Sequence, residues 1–122
     1  MSEFILNLST KKELFEIYNQ VNKEIYGYGT TELKIHFVDS MIVFSVHHKR
    51  VPCLQAIEEE YRTVKENADA AIMKVFKKEL KKRLTGQLGL DVQCVLRDYD
   101  YASLTAVTVV MLGDCAMSRS DL

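Results

Sequence analysis

Two alternating runs, "LKIHFV" and "MIVFSV", flank Asp39-Ser40, and this spacing constrains the chain more than any other feature in it. A two-residue connection is a tight link between antiparallel strands, and it fixes their register. Here it sets Val38 opposite Met41, Phe37 opposite Ile42, Ile35 opposite Phe44 and Leu33 opposite Val46. The last three pairs fall on one face, and a slip of one residue would turn all of them to the other side. The opposite face is mixed. Glu32 would lie across from His47 and His36 across from Val43, while Val38, Met41 and Val43 make this face apolar near the turn.

The flanking segments change period. Thr10 and Glu13 have the spacing of a capping box, and Leu14, Ile17, Tyr18, Val21 and Ile25 recur behind them at helical intervals. The spacing predicts a helix over 10–25, ended by the "GYG" at 27–29. Pro52 suits a helix start. Apolar positions from Leu54 to Leu80 then predict a long helix over 54–84, either continuous or broken near Asn67, with Gly86 and Gly89 ending it. "LDVQCVL" alternates with Leu90, Val92, Cys94 and Leu96 on one face, "RDYDYAS" reads as a turn, and "LTAVTVVML" is apolar on both faces, as in a central strand. The expected fold is α+β, helix-hairpin-helix-hairpin (αββαββ), with a mainly antiparallel four-stranded sheet and helices packed on one face.

At 122 residues the chain is expected to form a single domain, with 1–9 and 113–122 as frayed ends. Sixteen basic against seventeen acidic residues leave a formal charge of -1, so no global field draws nucleic acid or an anionic membrane. The first residues make a poor secretory signal, and no apolar run approaches the roughly 20 residues of a spanning helix. Cys53, Cys94 and Cys115 are widely spaced and lack a CxxC pair, which fits a reduced, cytoplasmic setting.

Several strings resemble the MpsC-like family, small proteins named after a subunit of a Na+-translocating, membrane-potential-generating system. They are "YGYGTTELKIHFVDSMIVFSV", "FKKELKKRLTGQLGLDV" and Asp98 after the following strand. The resemblance covers about Val21 to Leu112. It departs at "RVPCLQ", where the family has a Leu-Thr-Pro-type helix start, and at "ENADAAIMKVF", where many members are rich in Arg and Glu. It implies a soluble partner of a membrane ion-transport or bicarbonate-uptake system.

Few constellations carry chemistry. Adjacent strand residues point to opposite faces, so His47 and His48 do not readily share a metal; His48 with Cys53 is the remaining metal pair, set against a solvated strand end. Lys74, Lys77, Lys78, Lys81, Lys82 and Arg83 form a basic helix surface. It reads as a phosphate- or nucleic-acid-binding face or as cations complementing a helix C-terminus, and no nucleic-acid module surrounds it. Arg97, Asp98, Tyr99, Asp100 and Tyr101 would share one loop. No nucleophile triad, phosphate loop or HExxH occurs, and no cofactor is expected. Tyr26, Tyr28, Val38, Met41 and Val43 are the interface candidates for a homodimer. The expectation is a non-enzymatic interaction or regulatory module, with a small-ligand or metal-binding sensor as the alternative. An apolar pocket between the long helix and the sheet would favour the sensor, and flat exposed apolar surface a protein partner.

Overall fold

A computed structural model of the chain describes residues 8–47 and 52–113. Helix α1 (Leu8–Tyr26) is followed by strands β1 (Thr31–Val38) and β2 (Met41–His47), helices α2 (Pro52–Ala56) and α3 (Arg62–Leu88), and strands β3 (Val92–Asp100) and β4 (Thr105–Leu112). The four strands form one antiparallel sheet in the order β1-β2-β4-β3. This is the expected α+β class, but the element order differs from αββαββ because the second helical segment is divided. The division falls at 57–61 rather than near Asn67, which lies inside α3. It leaves Glu58, Glu59 and Glu60 just before the N-terminus of α3, where negative charge complements the helix dipole.

Helix α1 starts earlier than the proposed capping box. Thr10 is buried within its first turn, so it is not the N-cap. Gly27, at φ 85°, ends α1 in a conformation that a Cβ would strain. Asn19 and Asn22 then tie the next loop back to the helix. The Asn19 carboxamide oxygen accepts from the Thr30 amide at 2.7 Å and its hydroxyl at 2.9 Å, and Asn22 Nδ2 donates to the Tyr28 carbonyl at 2.9 Å. Gly89, at φ 67°, performs the same stop for α3, whose last turns run through Gly86. The basic stretch 74–83 therefore lies before the final turn, too far along the helix to act mainly through its dipole.

The register at the first turn follows the sequence reading, with Val38↔Met41, Phe37↔Ile42, His36↔Val43 and Ile35↔Phe44. It fails at the strand start. A bulge between Thr31 and Lys34 sets Thr31, not Glu32, opposite His47, and Glu32 takes φ 52°. A second bulge between Val92 and Cys94 has wider consequences. One extra residue reverses the facing of everything after it, so Val95 and Arg97 are buried while Cys94 and Leu96 are exposed. The expected face of Leu90, Val92, Cys94 and Leu96 is thus divided, and Arg97–Asp100 belong to β3 rather than to a loop.

The core lies between one sheet face and the pair α1 and α3. Leu14, Tyr18 and Val21 of α1 and Phe76, Leu80 and Leu84 of α3 meet Ile42, Phe44, Val46, Ala106 and Val110 of the central strands. Tyr18 stacks on Phe44 with ring centroids 4.5 Å apart, and its hydroxyl shares a 2.8 Å hydrogen bond with Thr108. Burial of each large apolar side chain contributes roughly 1.5–3 kcal/mol, and the hydroxyl pair satisfies two polar groups that burial would otherwise penalise. The Gly113 amide also donates to the Asp91 carbonyl at 2.8 Å. Of the expected frayed ends, 1–9 and 113–122, residues 8 and 9 stand in the first turn of α1, while 1–7 and 114–122 lie outside the described residues.

Candidate interaction surface

The other sheet face has no helix over it among the described residues. Helices α1 and α3 pack on the core side, and α2 makes its contacts with α3. Strand pairing arranges this open face in rows across all four strands. Val38, Met41, Met111 and Cys94 form the row nearest the β1–β2 turn; His36, Val43, Val109 and Leu96 form the next. Lys34, Ser45, Val107 and Asp98 follow, then the polar His47, Thr105 and Asp100. The face therefore grades from apolar at one end to polar at the other. Its exposure is substantial at Val38 (43%), Leu96 (56%) and Val107 (39%).

Three interface candidates from the sequence, Val38, Met41 and Val43, sit together on this surface. The two tyrosines do not join them. Tyr26 lies in the helical layer with its ring 5.7 Å from Phe76, and Tyr28 follows α1 in the loop held by Asn22. Cys94, Leu96, Val107, Val109 and Met111 complete the patch. The alternation of "LTAVTVVML" carried a signal for the last three, whereas the bulge hid Cys94 and Leu96.

The sequence reading also missed a charged and aromatic cluster under α3. Arg97 is buried with its guanidinium 4.9 Å from the Tyr26 ring centre and 4.6 Å from that of Phe76, and Nη1 donates to the Tyr26 hydroxyl at 2.8 Å. Its Nε and Nη2 have no hydrogen-bond partner among the described residues. The aromatic faces supply the compensating negative potential. Burial pushes the Tyr26 phenol above its ordinary value, against the pull of the nearby Arg97 charge. Beside this group, Lys65 pairs with Asp69 at 2.9 Å and lies over the Tyr101 ring, whose hydroxyl donates to Asp69. Burial, then the Asp69 bond, raises the Tyr101 pKa. These contacts fasten α3 to the end of β3, and neither cavity below opens onto them.

Other candidates remain apart. His48 lies outside the described residues, Cys53 is exposed on α2, and no group of three His, Cys, Asp or Glu side chains among the described residues converges to hold a metal ion. Lys74, Lys78, Lys81 and Lys82 are exposed along α3, with Lys77 half-buried. Arg83 is engaged: it bonds Glu79 at 2.8 Å and Glu24 of α1 at 2.5 Å, and the first of its effects holds the Glu24 carboxyl below its ordinary value. Asp100 is likewise lowered by the Ser103 hydroxyl and amide that it accepts in the β3–β4 turn.

Two cavities flank α1. One of about 410 Å³ lies between α1 and α3 at Glu13, Gln20, Arg83 and Gln87; the other, of about 510 Å³, lies between α1 and β1. Neither is the apolar pocket between α3 and the sheet that would mark a sensor. No described helix is long and apolar enough to cross a membrane. Comparison with family models, curated proteins and solved structures gives no match. The MpsC-like resemblance rests on the strings in the sequence.

Proposed function

We propose that the chain is a non-enzymatic interaction module that dimerises through its open sheet face. The single observation that carries this reading is the row pattern of that face. A two-fold axis parallel to the strands would lay each row over the same row of the second copy, with β1 over β3. The apolar rows would then meet one another. Lys34 of each copy would oppose Asp98 of the other, so the charges are complementary to themselves.

Strand spacing gives the apolar part a footprint of roughly 300–400 Å². That matches a functional patch, and it is smaller than the ~800 Å² per partner of a standard stable interface. The dimer is therefore weak and concentration-dependent. Light scattering over a dilution series, with and without divalent metal and EDTA, tests it. A dimer that dissociates on dilution and ignores both additives is the expected result; a monomer at every concentration overturns it. Charge placement supplies a sharper check. Asp98→Lys should weaken the dimer, and adding Lys34→Asp should restore it.

The MpsC-like resemblance supports a cellular setting for this module as an accessory to a membrane ion- or bicarbonate-transport system, in the cytoplasm. Its partner would then be a membrane-transport protein. Co-purification with such a transporter that survives charge reversal on the basic face of α3 but fails when the sheet face is altered would support this assignment; co-purification that survives both changes, or none at all, would remove it.

A further inference from the structure

A second surface lies on the edge of the sheet rather than its face. Among the described residues strand β1 has one neighbour, β2, so one side of its backbone has no strand beside it there. The two-residue turn makes Val38–Met41 a hydrogen-bonded pair, and alternation then makes His36–Val43 another. The amide and carbonyl of Ile35 and Phe37 therefore point away from β2. Among the described residues no hydrogen bond reaches them.

The 510 Å³ groove runs along this edge. Its strand side is lined by four consecutive residues, 33–36, whose side chains alternate between faces. A groove that touches all four follows the backbone rather than either face. Its helix side is Lys11, Lys12 and Phe15 of α1, with Phe15 43% exposed. The floor is apolar, and every ionisable side chain on the lining is basic. Glu16 and Glu32 are nearby but do not line it. Lys11 also lies over the Phe37 ring, 5.7 Å from its centre.

We infer that this groove takes an extended acidic peptide, which adds to β1 as a fifth strand. Its backbone would bond Ile35 and Phe37; carboxylates on the side facing α1 would meet Lys11 and Lys12, and the alternate apolar side chains would lie over Lys34 and His36 on the other face. A second copy of the chain is the poorer occupant. Pairing β1 with another β1 would bring the lysines of both edges together, a like-charge arrangement that protects edges from self-association. The groove shares Lys34 and His36 with the proposed dimer face, whereas Lys11, Lys12 and Phe15 are on α1 and belong to the groove alone.

The test is amide NMR of the full chain titrated with a short peptide of alternating Glu and Val, with two control peptides. One carries Lys in place of Glu, and the other is N-methylated at alternate positions so that it cannot complete a strand. The expected result is shifts confined to 11–15 and 33–38, slowed exchange of the Ile35 and Phe37 amides, and no binding of either control. K11E/K12E should weaken the acidic peptide about tenfold without changing the mass in solution. Equal binding of the N-methylated peptide, or shifts centred on the lysines of α3, would overturn strand addition. An unchanged affinity in K11E/K12E would overturn the assigned groove. A dimer that forms normally beside either failure would leave the sheet-face reading standing.

Discussion

The two faces of one sheet have opposite fates in this molecule. The same strands that send Ile42, Phe44 and Val46 into a core closed by α1 and α3 present Met41, Val43 and Ser45 on an open surface. On the core side, shape and hydrogen bonding are specified jointly: Phe44 stacks on Tyr18, and Tyr18 in turn binds Thr108. On the open side, side chains of similar apolarity have no packing partner among the described elements. The difference teaches that hydrophobicity alone does not say which face folds the chain. Helical cover does, and the uncovered face is the one proposed for association.

Adjacent residues provide the strongest way to break this comparison. Phe44→Ala should remove stacking and leave a cavity, lowering stability by about 3–5 kcal/mol and the melting temperature by roughly 10 °C or more. Val43→Lys, one position away on the open face, should change stability by less than about 1 kcal/mol while converting the dimer to monomer. Calorimetry and light scattering on both variants check the pair. Equal destabilisation by the two would mean that the open face is covered after all.

A subtler pair sharpens the contrast. Thr108→Val leaves the buried Tyr18 hydroxyl unsatisfied and should cost about 1–3 kcal/mol, whereas Val107→Thr on the open side should stay within about 0.5 kcal/mol. Chemical denaturation measures both. Arg97 refines the same argument because it is a buried cation on the core face. Replacing it with Met removes a desolvated charge with two unpartnered nitrogens, Nε and Nη2, so Arg97→Met should lie between neutral and about 1 kcal/mol more stable. A loss above about 2 kcal/mol would show that its Tyr26 bond and aromatic contacts outweigh that desolvation.

How much of this was legible depends on local geometry. The turn end of β1–β2 could be read because two residues link the strands and leave one consistent register. Helix ends at Gly27 and Gly89 were readable from backbone chemistry. In β3 the letters mislead: Leu90, Val92, Cys94 and Leu96 alternate without interruption, yet the bulge between Val92 and Cys94 adds a residue without altering that pattern. Arg97 therefore enters the core from a stretch that reads as a turn. The long helix reads as continuous or as broken near Asn67, a weaker helix former, while the backbone departs from the helix at 57–61. Only Val38, Met41 and Val43 of the open patch were read as interface candidates, since joining them to Val109 and Leu96 requires the strand order. The β1 groove joins segments distant in sequence, α1 and β1, and had no local signal.

Acid provides the smallest test, and it separates the helical layer from the open face. Arg83, through its hydrogen bond, and Gln20 after it hold the Glu24 carboxyl below its ordinary value of 4.5, while slight burial opposes them. A folded-state pKa below the unfolded one means that the unfolded chain takes up its proton first as pH falls. The resulting stability is complete above 4.5 and disappears as pH drops through the depressed folded value. Glu24→Gln should thus be slightly less stable than the parent at neutral pH, and the two should converge in acid. Thermal unfolding across that range measures the gap. Because Glu24 joins α1 to α3 and is remote from the open rows, the substitution should leave the dilution midpoint of the dimer unchanged. A constant gap at all pH would mean that the Arg83 bridge contributes nothing through its charge, and a shifted dimer midpoint would mean that the two sides of the sheet are mechanically coupled.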